Sequence, residues 1–283
     1  MRNPFVRLAV AGLVTLLVLA VIVLAVPGLR VLVVGQRLAY SFKPSANPRM
    51  GLQMIVRHSH EVRGDSAGEL GLPLDGEELV LELNEEIQPG SREQTIFYVC
   101  GEARTEADEV KQRGRRLSGA RLMARIMPSG GVVAAQAVDH KQEIFFQPTA
   151  LRPLFNSIWP PVPTGFVRPG THWTTQLKVE VEDDTLSGPV TLSYNMEYTL
   201  ERFVNESGVH AADISWKGDI LALAPASGVG NITGACLLST DTGNCLNGGY
   251  NLSHSFQVPL RDLPGDMLLA WHEEQAARYY RLK

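Results

Sequence analysis

The longest apolar stretch of the chain lies at its beginning, where residues 8–26 carry no charged side chain. A helix over this run would be roughly 28 Å long, which matches the hydrocarbon core of a bilayer. Pro27 and Gly28 end the run, because neither residue continues a helix well. We therefore predict an uncleaved transmembrane anchor within residues 1–28, with Leu8 to Val26 in the bilayer.

A cleaved signal peptide is the alternative, although its apolar region would normally be shorter, at about 7–15 residues. Val23-Leu24-Ala25 is a weak cleavage site because Pro27 follows closely. Basic residues flank both ends of the run, so the positive-inside rule does not fix the orientation. We place the short N-terminus in the cytoplasm and the remainder of the chain outside it.

Period-two alternation of apolar and polar residues dominates the rest of the chain, and it is typical of strands with one wet face. It occurs around Leu79, Leu81 and Leu83 and is longest in residues 190–200 and 250–258. These segments predict an all-β fold with one or two helices, in the form of a bent antiparallel sheet or half-barrel, behind the N-terminal transmembrane helix.

Breaks in the alternation set the predicted domain limits. Residues 29–48 predict a stalk, a linker or a first strand, because a short apolar run at 31–34 precedes a turn-rich stretch at 43–48, and residues 49–265 are predicted to form the β-rich domain. A proline-rich stretch at 148–170, which opens with a possible short helix, marks an internal boundary. Residues 266–283 are rich in Ala, Glu, Gln and Arg and predict a C-terminal helical tail.

Composition narrows the class of function. The chain has 283 residues, a net charge of -4 and a pI near 6.0. A nucleic-acid-binding protein would instead carry a concentrated basic surface. The densest basic segment, residues 111–125, follows several acidic residues, and we interpret it as a solvated surface.

Two of the three cysteines flank a turn-like stretch. With a two-residue turn at Thr240 and Asp241, Cys236 and Cys245 would lie directly opposite each other and could form a disulfide in an oxidising compartment. If Gly243 instead makes a bulge, the pair becomes diagonal and strained. Both registers remain open, and Cys100 is predicted to be a buried free thiol.

No motif predicts catalysis. Asp241-Thr242-Gly243 matches the triplet of aspartic proteases, but the sequence has no second triplet and the residues also suit a β-turn. His58 and His60 have a spacing that could ligate zinc, without an assignable third ligand. We therefore predict a non-enzymatic protein without a metal or cofactor.

The stretch from Trp159 to Trp173, a proline-rich turn followed by Pro169-Gly170-Thr171-His172-Trp173, resembles the same opening in bacterial envelope proteins. The hairpin turn Ser239 to Gly243 also resembles theirs. Their architecture is similar to the half-barrel of periplasmic lipoprotein carriers, the LolA/LppX-like superfamily. The resemblance covers about the last 125 residues and carries over no ligand residue; it implies a curved sheet around a helix that holds a lipid or acyl chain.

The predicted function is therefore a membrane-anchored envelope protein that binds a hydrophobic ligand, such as a lipid or lipoprotein, on a concave sheet. The expected location is the bacterial inner membrane, with the domain in the periplasm or outside the cell. Candidate lining residues share one face of two long strands: Tyr194, Met196, Tyr198, Leu252 and Phe256. The alternative is a structural or protein-interaction module with a filled core, and cavity volume separates the two.

Overall fold

A computed structural model describes most of the chain. The described residues are 15–19, 21–22, 35–40, 42, 48–63, 70–71, 75–88, 90, 92–102, 107–141, 143–181, 188–206, 208–259 and 268–282. The domain is all-β with a few helices, as the alternation predicted, because strands with one apolar and one polar face bury the apolar face by curling around it.

In the first half of the domain, the described residues form seven strands and one α-helix. The strands are β1 (Gln36–Arg37), β2 (Arg49–Arg63), β3 (Leu70–Gly71), β4 (Asp75–Gln88), β5 (Gln94–Glu102), β6 (Arg121–Ile126) and β7 (Val132–Ala137). Helix α1 (Asp108–Arg116) starts with acidic residues and ends with basic ones, which suits the helix dipole. A single 3₁₀ turn at Ile144–Phe146 leads into helix α2 (Pro148–Ile158), the short helix that the sequence predicted.

The second half returns to long strands. They are β8 (Phe166–Val167), β9 (His172–Val181), β10 (Val190–Glu206), β11 (Val209–Ala222), β12 (Ser227–Ser239), β13 (Cys245–Pro259) and β14 (Leu268–Arg281). Strand β10 includes the predicted alternating stretch 190–200, and β13 includes 250–258.

Eleven strands pair side by side in one antiparallel sheet, in the order β7-β6-β5-β4-β2-β14-β13-β12-β11-β10-β9. Strand β3 pairs with β2, and β1 pairs with β8 in a separate small ribbon. The sheet is nearly closed and barrel-like. Both halves of the chain belong to it, because β14 pairs with β2, so the sheet continues across the proline-rich stretch at 148–170.

The C-terminal segment corrects one prediction. Residues 268–281 form strand β14 at the centre of the sheet, not a helix. Helix propensity is a weak prior, and pairing with β13 on one side and β2 on the other overrides it. The period-two pattern was present in the sequence but hidden, since Glu273 and Gln275 occupy buried positions where apolar residues are expected.

The segment predicted as a stalk, linker or first strand contains a short strand and contributes to the core. Gln36 and Arg37 form β1, and Leu38 and Tyr40 belong to the hydrophobic core, with 3% and 8% of their surface exposed. The domain therefore begins at or before residue 36, and this segment packs into it. Arg49, at the start of β2, follows a stretch of which only residues 42 and 48 are described.

At the N-terminus, residues 15–19 and 21–22 are helical, and their large apolar side chains are exposed, from 44% for Ile22 to 67% for Leu16. The rest of the predicted anchor, residues 8–14, 20 and 23–26, lies outside the described residues. Among the residues that are described, no helix combines the length and apolar character needed to span a bilayer.

Candidate functional site: the interior of the sheet

The five side chains predicted to line a ligand site all lie in the interior. Tyr194, Met196, Tyr198, Leu252 and Phe256 are each exposed by no more than 3%. They alternate with outward residues along β10 and β13, such as Asn195 and Asn251, which are exposed. The structure therefore brings these residues to one face of the sheet, as period-two geometry requires.

Helix α2 occupies the space that this face encloses. Nine of its eleven residues are buried, among them Leu151, Leu154 and Phe155. A helix that is buried on nearly every side must have partners all around it. The concave face of the sheet thus packs against a segment of its own chain.

Hydrogen bonds to the surrounding strands hold α2 at a defined position in the interior. Asn156 Nδ2 donates to Tyr198 Oη at 2.8 Å, and Gln275 Nε2 donates to the Thr149 carbonyl at 3.1 Å. Tyr279 Oη donates to the Ser157 carbonyl at 2.5 Å. Each bond satisfies a buried group whose desolvation would otherwise destabilise the fold, so the contacts specify one position of the helix.

Arg152 of α2 joins the two edge strands of the sheet. Its guanidinium donates from Nη1 to the Val133 carbonyl of β7 and from Nη2 to the Lys178 carbonyl of β9, the latter at 2.6 Å. Because both nitrogens belong to one planar group, the two carbonyls lie within roughly 8 Å of each other. Burial lowers the pKa of Arg152. We call this contact the Arg152 bridge; it satisfies edge carbonyls that would otherwise remain open.

A row of cross-strand neighbours that includes several polar residues crosses the interior near one end of α2. Direct cross-strand neighbours in this row are Tyr194–Ile220, Ile220–Gly230, Gly230–His254, His254–Glu273 and Glu273–His58. A methyl group at Gly230 would lie 2.4 Å from the His254 Cβ, so the absence of a side chain there makes room for the imidazole. The register thus places titratable groups from distant parts of the sequence in one layer.

Glu273 is the central group of this layer. It is 3% exposed, and burial raises its pKa to about 7, although hydrogen bonds from Gln275 and Trp271 oppose that rise. Gln275 in turn accepts a hydrogen bond from Tyr250 Oη at 3.1 Å. A carboxyl in such a place is held mostly in its protonated form at acidic pH up to about 6, because desolvation penalises the charge.

His254 lies across from Glu273, with Nε2 3.9 Å from Oε2. That distance falls within the range of an ion pair but is too long for a hydrogen bond. Burial, together with the neighbouring charge of His272, lowers the pKa of His254 to about 3. Both members of the pair are therefore neutral near pH 6, and neither ring nitrogen of His254 has a hydrogen-bond partner among the described residues.

A second buried polar group lies near the opposite end of α2. Arg281 Nη2 contacts Glu85 Oε2 at 2.8 Å, and the two side chains are 12% and 1% exposed. Burial raises the pKa of Glu85, and the charge of Arg281 opposes this. Trp159 Nε1 donates to Tyr98 Oη at 2.6 Å beside this pair. A buried ion pair of this kind fixes geometry more than it adds stability.

The cysteines adopt the shifted register. Cys236 lies opposite Gly248 and Cys245 opposite Leu238, with the irregularity next to Leu238. Gly243 has a left-handed φ of 68°, which a glycine adopts without strain. All three thiols are buried and free, and burial raises the pKa of Cys100 to about 12. A Cys236–Cys245 disulfide in an oxidising compartment stays a prediction.

Among the side chains that the structure describes, which do not include His60, the other candidate motifs do not assemble into a reactive site. Asp241 is exposed in the turn between β12 and β13, where the Ser239 amide donates to the Asn244 carbonyl at 2.9 Å. Within the described part of the chain, no group of three or more His, Cys, Asp or Glu residues is arranged to hold a metal ion. In the basic segment, Arg113, Arg116 and Arg125 form ion pairs with glutamates.

Two cavities open mainly on the outer surface of the sheet. One of about 310 Å³ is lined by outward residues of β2, β13 and β14, including Gln53, Asn251 and Arg278. Another of about 460 Å³ is lined mainly by polar residues, including Ser59, Glu61 and His272. Of the five predicted ligand residues, Phe256 borders the second cavity, together with Trp271, and the other four line neither of the two.

Sequence reasoning missed Glu273 and Gln275 because it assigned their segment to a helix. The available signal was the even spacing of Trp271, Ala277 and Tyr279, which share one strand face with Glu273 and Gln275. Comparison with known proteins adds no assignment: no family model and no curated protein matches this chain.

Proposed function

We propose that this chain is a non-enzymatic, membrane-anchored protein of the bacterial cell envelope, whose extracytoplasmic domain is a structural or protein-interaction module with a filled interior. The observation that carries the proposal is the position of α2 against the concave face of the sheet. A segment of the chain itself takes the place that a bound lipid would need.

Space in the interior favours this proposal over a lipid carrier. A site for an acyl chain needs several hundred Å³ of apolar volume. Tyr194 and Tyr198 have no exposed surface, and Phe256 has 2%. The tethers of α2, such as Asn156 to Tyr198, hold the helix in place, so a lipid would first have to displace it.

The chemistry of the interior supports a non-enzymatic function. Glu273 and His254 are the most strongly perturbed acid and base, yet both are shielded from solvent, at 3% and 1% exposure. A catalytic acid or base must reach its substrate. Groups that are enclosed between a sheet and a helix serve structure instead.

The anchor is supported by the apolar run at residues 8–26 and by the exposed apolar side chains of its described part. Exposed side chains such as Leu16 and Leu17 would be stabilised by a bilayer, since contiguous apolar surface in water is unfavourable. The envelope location follows from this anchor together with the resemblance to bacterial envelope proteins.

Native mass spectrometry of the detergent-extracted full chain tests the proposal. We expect the mass of the protein alone after successive detergent exchanges, because lipids around an anchor exchange with detergent. One lipid per chain that survives exchange, and that is lost in Tyr198→Ala while the parent retains it, would instead establish a carrier. Mass spectrometry of cross-linked envelopes would then identify the protein partner of the module.

A further inference from the structure

The small ribbon of β1 and β8 marks the end of the sheet where the chain enters the domain. Gln36 pairs with Val167, and Arg37 pairs with Phe166. Strand β2 begins at this end, and so does β9, whose His172 pairs with Thr199. We call this the β1 end of the sheet; the far end is where β11 turns into β12.

The entry point is fixed firmly to the domain. Immediately after β1, Tyr40 Oη donates to the Pro160 carbonyl at 2.5 Å. The Tyr40 and Phe42 rings lie 5.2 and 5.3 Å from the ring of Trp159, which is fully buried. The chain that arrives from the apolar run is therefore attached to the core at the β1 end, without a free spacer after Gly35.

Chain length limits how far this end can lie from the apolar run. Nine peptide steps separate Val26 from Gly35, which span at most roughly 30 Å when fully extended. The far end is more distant. Leu200 of β10 lies at the β1 end, and Ser193 precedes it by seven residues in the same strand. Ser193 pairs with Leu221, next to the turn at the far end. Seven residues of strand add about 24 Å.

The β1 end exposes an aromatic side chain with cationic neighbours. Phe166 is 66% exposed, and its cross-strand partner Arg37 is exposed too. Arg168, two residues further along, is also exposed. Met127, in the turn between β6 and β7 at the same end, is 43% exposed. An apolar group beside guanidinium groups suits the boundary between acyl chains and phosphate headgroups.

We propose that the β1 end is a membrane-contacting surface, with Phe166 inserted among the lipids and Arg37 and Arg168 on anionic headgroups. This inference rests on the proposed anchor, which brings the β1 end to the bilayer. It adds an orientation: the domain stands on the membrane with its far end outward. The occupant of the surface is an anionic bilayer, because a zwitterionic one has no net negative surface potential to attract the arginines.

A solvent-sensitive fluorophore on a cysteine at position 166 tests the contact. Phe166→Cys in the full chain is labelled with NBD and reconstituted into vesicles of phosphatidylcholine with or without phosphatidylglycerol. Val229→Cys is the matched control, since Val229 is 65% exposed but lies at the far end. The parent should take no label, because its three thiols are buried.

We expect the label at 166 to shift to the blue and to show a several-fold lower iodide quenching constant than the label at 229. Arg37→Gln should reduce this protection in the vesicles with phosphatidylglycerol, and added salt should act in the same direction. Equal quenching at both positions in protein that floats with the vesicles would overturn the contact. Protection at 166 that persists in detergent and depends on protein concentration would indicate a second copy instead and would also overturn it. Protein that does not float would contradict the anchor itself.

Discussion

At the scale of single residues, the most consequential feature of this chain is the carboxyl group of Glu273 at a core position. Glu273 and His254 face each other in the interior and are neutral together near pH 6. Burial raises the pKa of the acid above that of the base, which reverses their order in water. The pair therefore packs as two uncharged groups, and its contribution to stability depends on pH in two opposite ways.

The sign of each dependence follows from the pKa in the folded and unfolded chain. The folded pKa of Glu273 is raised, so its contribution is fully present below its unfolded pKa, near 4.5, and is lost as the pH rises to about 7. The folded pKa of His254 is lowered, so its contribution is present above about 6.5 and is lost as the pH falls toward 3. Between about pH 4.5 and 6.5 the two changes in the free energy of unfolding with pH cancel.

Glu273→Gln removes the pH dependence of stability that comes from Glu273. From pH 4.5 to 7.5, the free energy of unfolding of the variant should rise relative to the parent by roughly 3 kcal/mol, in urea titrations at each pH. Glu274→Gln is the matched control, because its side chain is 43% exposed on the outer face. A stability difference between Glu273→Gln and the parent that does not change with pH would show that Glu273 ionises normally.

Truncation of two aromatic residues tests how completely the interior is filled. Phe256→Ala and Tyr198→Ala should each lower the free energy of unfolding by about 3–5 kcal/mol, through lost transfer energy and a cavity. Phe256 stacks on His254 at 4.3 Å, and Tyr198 stacks on Trp173 at 5.7 Å. Val229→Ala, at an exposed position, should cost far less. Mild destabilisation by both aromatic truncations, together with loss of a bound lipid, would favour the carrier.

At the scale of elements, α2 and the sheet determine each other. The helix is too short to be stable alone, so most of its stability comes from burial of its side chains inside the sheet. The sheet in turn has two edges, β7 and β9, that the helix joins through the Arg152 bridge. The near closure of the sheet thus depends on a side chain of the helix that it encloses.

Arg152→Met tests that dependence, because it keeps an unbranched stem and removes the guanidinium. We expect a loss of about 1.5–3 kcal/mol, as for hydrogen bonds from a charged group, and faster amide hydrogen exchange in β7 and β9. Arg152→Lys keeps the charge but cannot donate to both carbonyls in the same fork, so its loss should be intermediate. Unchanged exchange in both edge strands of Arg152→Met would mean that the edges are held by other contacts.

At the scale of the whole molecule, the proposed anchor and the β1 end define a topology. The segment before β1 leads to the apolar run, and Leu38 and Tyr40 fix the domain to that segment. We propose that the domain lies entirely on one side of the membrane. We place it outside the cytoplasm.

Protease accessibility checks this placement. Protease added to intact spheroplasts should remove the domain and leave a membrane-bound fragment close to the anchor. A cytoplasmic marker protein should stay intact in the same sample, which controls for lysis. Full protection of the domain in intact spheroplasts, with digestion only after lysis, would invert the orientation.

The sequence by itself determined the class of fold, because period-two alternation in segments such as 190–200 and 250–258 requires a sheet with one buried face. It also determined α2, whose apolar spacing and flanking prolines are local signals.

Only the tertiary structure decided the secondary structure of residues 268–281, since two neighbouring strands offer hydrogen bonds that outweigh a weak helical propensity. It likewise decided what the inner face touches. Tyr198 and Phe256 are apolar and inward in either case, and whether they meet a ligand or α2 depends on contacts between segments far apart in the chain. Glu273 meets His254 for the same reason: the register between β13 and β14 is a property of the assembled sheet.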